Sequence, residues 1–155
     1  MPRSMTLAVL LAATSQPVSI YVGPNVRNGF VDIDKGVQDS IEDLRQELRR
    51  NSSLRLVADE AAARLKLYVA GRSKFNTGDS VVTGQGSATA GGAASGVGVA
   101  VAIEGYRVET ILRVGDYERQ FTGESKSRWK GCARSIAEDL AIWLKANQDH
   151  IPDGK

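Results

Sequence analysis

Histidine and cysteine each occur once in the 155 residues, as His150 and Cys132, and they are the first residues to test for chemistry. Nucleophilic catalysis needs a nucleophile, a base and a group that orients the base. His150 lies in a polar C-terminal stretch beside Pro152, Asp153 and Gly154. Cys132 falls in the first turns of an amphipathic segment, where a small buried thiol is the common outcome. The two form no expected catalytic pair. One cysteine also excludes an intramolecular disulfide, and a zinc site would need carboxylates for nearly every ligand. No catalytic residue, metal or cofactor is expected, and the chain reads as a non-enzyme.

Two motifs resemble ligand loops and fail on inspection. Asp32-Ile33-Asp34 with Asp43 has the outline of a calcium loop. Gly36 replaces its third oxygen ligand and Val37 stands where the turn glycine belongs, so N-capping of a helix explains the aspartates better. The stretch 84–98 holds six glycines in 15 residues. It contains no lysine, as a phosphate-binding P-loop requires. Nor does it carry a dinucleotide fingerprint: Gly84-x-Gly86 continues to Thr89, and Gly96-x-Gly98 to Val101.

Two places remain where binding could sit. Gly92 and Gly96 form a GxxxG pair, extended by Ala88 and Ala100, within a 24-residue run, 80–103, that has no charge. Such spacing lets backbones approach closely and would suit self-association. A flexible connection between two strands competes with that reading, since glycine-rich chain has little apolar surface with which to order itself. The second place is the start of the last helix. Lys126, Arg128 and Lys130 crowd the end where the macrodipole disfavours cations, with Ser125 and Ser127 beside them. A bound anion or partner carboxylate would relieve the conflict. A solvated basic face, screened by salt, is the simpler alternative.

The elements that must position these residues follow from periodicity. Residues 18–22 alternate and are rich in β-branched and aromatic types, predicting a strand that Gly23-Pro24-Asn25 ends. Val37, Ile41, Leu44 and Leu48 recur at helical spacing, with Asp32 or Asp34 to cap the start and Arg49 and Arg50 at the end. Residues 54–57 predict a short strand, 59–63 a helical turn and 64–70 a longer strand, with Leu65, Leu67 and Val69 inward. Three further strands are predicted over 97–103, 106–114 and 117–123, the last two joined by a Gly115-Asp116 hairpin turn. Residues 127–148 close the chain as an amphipathic helix carrying Trp129, Ala133, Ile136, Leu140, Trp143 and Leu144 on one stripe. The expected fold is α+β in two layers. A mostly antiparallel sheet packs two amphipathic helices on one face, leaving Lys66, Tyr68, Arg107, Glu109 and Arg119 on the other.

With 42% hydrophobic and 25% charged residues this is the composition of one globular domain. The expected organisation is a signal peptide over 1–15, a domain over 16–149 with a glycine-rich insertion at 84–98, and a tail over 150–155. Arg3 precedes the unbroken apolar run 5–13, and Ala13-Thr14-Ser15 offers small residues for cleavage. The run is too short to span a bilayer, so export to the periplasm without a transmembrane span is expected. A first strand or buried helix is the other reading of the run.

Asp39-Ser40-Ile41-Glu42-Asp43-Leu44, the short strand at 54–57, and Glu60-Ala61-Ala62 running into Leu65-Lys66-Leu67-Tyr68-Val69 together resemble a pattern in bacterial envelope proteins. These are small exported domains similar to the Tol-system N-terminal domain and to the nucleotide-free domain of curli-secretion-type lipoproteins. The resemblance covers roughly residues 17–72 and the final helix, and this chain departs from it in lacking a lipobox cysteine. It implies a non-enzymatic envelope protein acting through protein or surface contacts, with an envelope partner or self-association and no specific nucleic acid. The alternative is a nucleic-acid or anionic-ligand module built on Arg45, Arg49, Arg50, Arg55 and the cluster 126–134. A net charge of +2 is by itself too small to decide for it.

Overall fold

The structure is a computed structural model that describes residues 16–25, 34–83 and 99–152, with side chains described outside 79–83 and 99–101. The elements are β1 (Val18–Pro24), α1 (Lys35–Arg49), β2 (Leu54–Leu56), β3 (Leu65–Thr83), β4 (Val99–Val114), β5 (Tyr117–Ser125) and α2 (Trp129–Ala146). A 3₁₀ turn, Gln148–His150, follows α2.

The five strands form one sheet in the order β2-β1-β3-β4-β5. β1 pairs parallel with both β2 and β3, while the longer β3–β4 and β4–β5 ladders are antiparallel. The parallel pairing of β1 with β2 follows from the β1–α1–β2 connection, in which the helix returns the chain to the starting end of the sheet. Both helices lie on one face. α1 packs on β1, β2 and β3, α2 on β4 and β5, and the helices touch each other. The two-layer α+β architecture is the one the hydrophobic pattern specifies.

The core takes Ile20 and Val22 from β1, Leu65, Leu67 and Val69 from β3, and Val108, Leu112 and Val114 from β4. Phe121 of β5 joins them, with Ile41, Leu44 and Leu48 of α1 and Cys132, Ile136, Leu140, Trp143 and Leu144 of α2. The buried Thr110 hydroxyl donates to the Phe121 carbonyl at 3.0 Å, whereas Ser40 Oγ and Trp143 Nε1 are buried without a hydrogen-bond partner among the described residues. Asp34 caps α1, its carboxylate accepting from the Gly36 N–H at 3.2 Å. Gly115 supplies the positive φ, 57°, of the β4–β5 hairpin turn. Gly123 allows α2 to lie directly on β5: a Cβ there would sit 2.7 Å from Ile136 Cγ1.

The sheet differs from the expected one in three respects. The strand expected over 64–70 runs on to Thr83, and the strands expected over 97–103 and 106–114 are one element, β4. Together they make a long two-stranded arm. Gly105 does not break β4, because Phe75 from β3 lies across it and fills the space a side chain would take. Second, the ladder shifts register between Val69 and Gly71. That bulge turns Arg72 and Lys74 onto the helix side, where they pair with Val108 and Tyr106. Third, Arg119 pairs with the core residue Leu112 and so faces the helices, whereas Lys66, Tyr68, Arg107 and Glu109 occupy the opposite face as expected.

Candidate functional site

Both helices begin at the same end of the sheet, beside the base of the β3–β4 arm, and Arg72 joins them. Its guanidinium lies 3.7 Å from the centroid of the Trp129 ring at the start of α2. Its Nη1 donates to the Gly36 carbonyl of α1 at 2.6 Å. Trp129 in turn meets Tyr106 edge to face, with centroids 4.8 Å apart, and the Lys74 ammonium stands 5.8 Å from the Tyr106 ring. Two cations and two aromatic rings thus form a continuous row, contributed by β3, β4 and α2. Each cation–ring contact is worth about 0.5–2 kcal/mol, more where water is excluded.

The basic residues singled out at the start of α2 flank this row. Arg128 is the N-cap, in extended conformation and without a side-chain cap. The Ser125 hydroxyl accepts from the N–H groups of Ser127 and Arg128 at 3.3 and 3.4 Å, so the serine ties down the approach to the helix. Among the described residues the N–H groups of Trp129 and Lys130 find no acceptor. Arg128 and Lys130 are exposed and form no ion pair among the described residues, and Lys126 is exposed beside them. Asp43 of α1 is the carboxylate closest in influence. Burial pushes its pKa up, against the pull of Lys130 and Arg72. Glu104 pairs with Lys74 at 3.2 Å. The structure therefore brings Ser125, Lys126, Ser127, Arg128 and Lys130 together, and adds Arg72, Lys74, Tyr106 and Trp129 to them. Arg72, Lys74 and Tyr106 had no recognisable signal in the sequence, since the bulge that aims the first two is a tertiary feature.

The other arginines read as a basic cluster do not converge. On α1, Arg45 donates to the Val22 carbonyl at 2.9 Å, Arg49 pairs with Glu42 and Arg50 with Glu47. Arg134 of α2 also approaches Glu47, and Arg55 sits on the far sheet face. That face is an alternating ladder of charges, Arg107 with Glu124 at 2.7 Å and Arg113 with Glu118 at 2.9 Å. Its centre is partly covered by the 57–64 loop: Ser19 Oγ accepts from the Arg64 N–H and donates to the Ala62 carbonyl, and Tyr68 donates to Glu60. Burial and the Glu60 carboxylate push the Tyr68 phenol up to about 12.

Cys132 is buried, its thiol directed at the Tyr106 carbonyl 3.2 Å away, and burial raises its pKa. It supports the aromatic row from beneath. His150 lies in the 3₁₀ turn at the opposite end of α2, remote from Cys132. No cluster of metal-ligating side chains occurs among the described residues. Arg64 holds the chain after α2, donating to the carbonyls of Ile151 and Pro152.

No protein-family model and no curated protein matches the chain. Among solved structures, a ribosomal subunit interface protein from Coxiella burnetii matches over 85% of this chain and 99% of its own, at 10% identity and a TM-score of 0.37. The N-terminal domain of Protein Y from Thermus thermophilus matches over 84% and 97%, at 12% identity and a TM-score of 0.33. Likenesses this distant carry nothing about what the present chain binds.

Neither protein is a Tol-system or curli-secretion-type domain, and the envelope resemblance is corrected. The signal peptide and the exported, periplasmic localisation, which rested on Arg3 and the apolar run 5–13, are withdrawn too, and so are the envelope role and partners and the expected lack of a nucleic-acid partner. The physical reason is that the resemblance rested on the order and spacing of elements. A β-α-β-β run ending in a helix is a packing solution open to many unrelated domains. Residues 1–15, Asp32, Gly92 and Gly96 lie outside the described residues, and with them the cleavage site and the GxxxG surface. No helix among the described residues is long and apolar enough to cross a membrane.

Proposed function

We propose that the protein is a non-catalytic nucleic-acid-binding module whose contact surface is the base of the β3–β4 arm. The observation that carries this reading is the row Arg72–Trp129–Tyr106–Lys74 set against the unpaired cations Arg128 and Lys130. Cations interleaved with aromatic rings suit a phosphate backbone whose bases can stack. The helix N-termini add backbone donors and positive dipole ends to the same surface. A lipid surface is a poorer fit. Membrane contact needs exposed apolar side chains, and the exposed large hydrophobics among the described residues, Tyr117 and Ile142, lie at the other end of β5 and α2.

Fluorescence anisotropy with a labelled single-stranded RNA, repeated across a salt series, tests the reading. Three phosphate contacts from Lys74, Arg128 and Lys130 give a slope of log K against log salt of about −2. Trp129→Ala should weaken binding by about 1–3 kcal/mol if a base stacks there. Absent binding, or binding indifferent to salt, would sink the proposal. Equal affinity for anionic vesicles, retained in Trp129→Ala, would replace it with a headgroup site.

A further inference from the structure

We propose that the cavity between the β4–β5 hairpin and the end of α2 binds a small organic cation through a quaternary ammonium group. This inference stands apart from the arm site, which lies at the other end of α2. The cavity measures 320 Å³ and is lined by Val114, Tyr117, Trp143, Asn147 and His150. That is the small end of the range for ligand sites, about 300–1,000 Å³. The hairpin supplies Val114 and Tyr117, α2 and its C-cap supply Trp143 and Asn147, and the 3₁₀ turn supplies His150. Tyr117 stacks on Trp143 with centroids 5.8 Å apart and planes 19° from parallel, so strand and helix together build an aromatic wall. Trp143 is buried, whereas Tyr117 remains 46% exposed at the cavity mouth.

The electrostatics of the setting decide the sign of the ligand. Aromatic rings attract cations through their quadrupole. The cavity lies at the C-terminus of α2, the negative end of the helix dipole. Asn147 Nδ2 donates to the Trp143 carbonyl at 2.8 Å, which leaves Asn147 Oδ1 as an acceptor without a partner among the described residues. Asp116 and Asp149, next in sequence to Tyr117 and His150, are exposed and form no ion pair among the described residues. No lysine or arginine is among the residues that line the cavity. Arg119, the next residue on that face of β5, holds its guanidinium over Phe121 instead, 5.2 Å from the ring centroid. This setting repels an anion.

The walls then decide among cations. A metal ion needs several oxygen or nitrogen ligands, and no such cluster occurs among the described residues. A primary ammonium carries three N–H donors, and Val114 and the aromatic rings would leave some of them unmet at a cost. A quaternary ammonium has no N–H to satisfy. Its methyl groups fit apolar and aromatic walls while its charge is held by the rings, the helix end and the Asn147 oxygen.

Choline titrated into the isotope-labelled full chain, followed by nuclear magnetic resonance, tests the assignment. The indole signal of Trp143 and the side-chain amide of Asn147 should shift and saturate with a dissociation constant of about 1 mM. The indole of Trp129, at the other end of α2, should stay in place. The neutral isostere of choline, with carbon in place of the quaternary nitrogen, should bind at least about fivefold more weakly. Tyr117→Ala, at an exposed position, should weaken choline about five- to thirtyfold with an unchanged circular dichroism spectrum. A Trp143 signal that does not move overturns the proposal, and so does choline binding that survives Tyr117→Ala. Equal affinity for the neutral isostere reduces the site to an apolar cavity and overturns it as well. Tighter binding of a trimethyllysine peptide than of choline overturns the assignment to a small compound and gives the same ammonium group to a protein side chain.

Discussion

Gly123 is the point where a single methyl group tests how α2 is seated. A Cβ at this position would lie 2.7 Å from Ile136 Cγ1 and 2.9 Å from the Cys132 carbonyl carbon, with the Cys132 oxygen closer still. Ordinary carbon contacts begin at about 3.5 Å. The Ile136 side chain can turn away, but the Cys132 carbonyl belongs to the backbone of α2, so the helix itself must lift by about 1 Å. Overpacking of this kind costs about 3 kcal/mol, and the reduced entropy of the unfolded chain returns about 0.4–1 kcal/mol of it. The net expectation for Gly123→Ala is a loss of about 2 kcal/mol. That corresponds to a fall in Tm of about 4–8 °C for a chain of this size, and to a urea midpoint lower by about 1 M with an unchanged slope. Gly71→Ala is the matched control. It meets nothing within 4 Å, and its stability should stay within about 0.5 kcal/mol of the parent. Urea unfolding followed by circular dichroism reads both. If Gly123→Ala unfolds at the parent midpoint, α2 does not rest on β5 as described, and the placement of Trp129 at its first turn loses its support.

Three further expectations follow from particular contacts. Arg72→Lys keeps the charge but loses the planar stack on Trp129 and the donor fork, so it should cost about 1–2 kcal/mol in the same assay; parental stability would show that Arg72 does not join the two helices. The Tyr68 phenol, held at about 12, gives stability that is complete below its unfolded pKa of 10.0 and is lost as pH rises from there through 12. Glu60→Gln should bring that titration down towards the ordinary tyrosine value in a phenolate absorbance titration, and an unmoved curve would remove Glu60 as a cause. The Cys132 thiol, buried and raised in pKa, should react with a thiol reagent only on unfolding, so that added urea accelerates labelling in step with loss of structure.

The sequence by itself determined the elements whose side chains meet a core. α1 and α2 repeat apolar residues at helical spacing, and residues 65–69 alternate, because burial on one face leaves a period that can be read along the chain. It also narrowed the cap of α1 to Asp32 or Asp34, and it determined the hairpin turn at Gly115 and the crowding of Ser125, Lys126, Ser127, Arg128 and Lys130 before α2, all of which are local in sequence. Only the tertiary structure decided where β3 and β4 end. Their outer halves are held by each other, through pairs such as Phe75 over Gly105, and cross-strand pairing between residues 30 apart leaves no period in either strand. The same holds for direction and facing. β1 is parallel to both neighbours because of where α1 returns the chain, and one bulge after Val69 carries Arg72 and Lys74 to the helix side. The candidate site consists of residues from β3, β4 and α2 that meet through that bulge. Its basic half was legible in the sequence, and its aromatic row became visible only when the strands were paired.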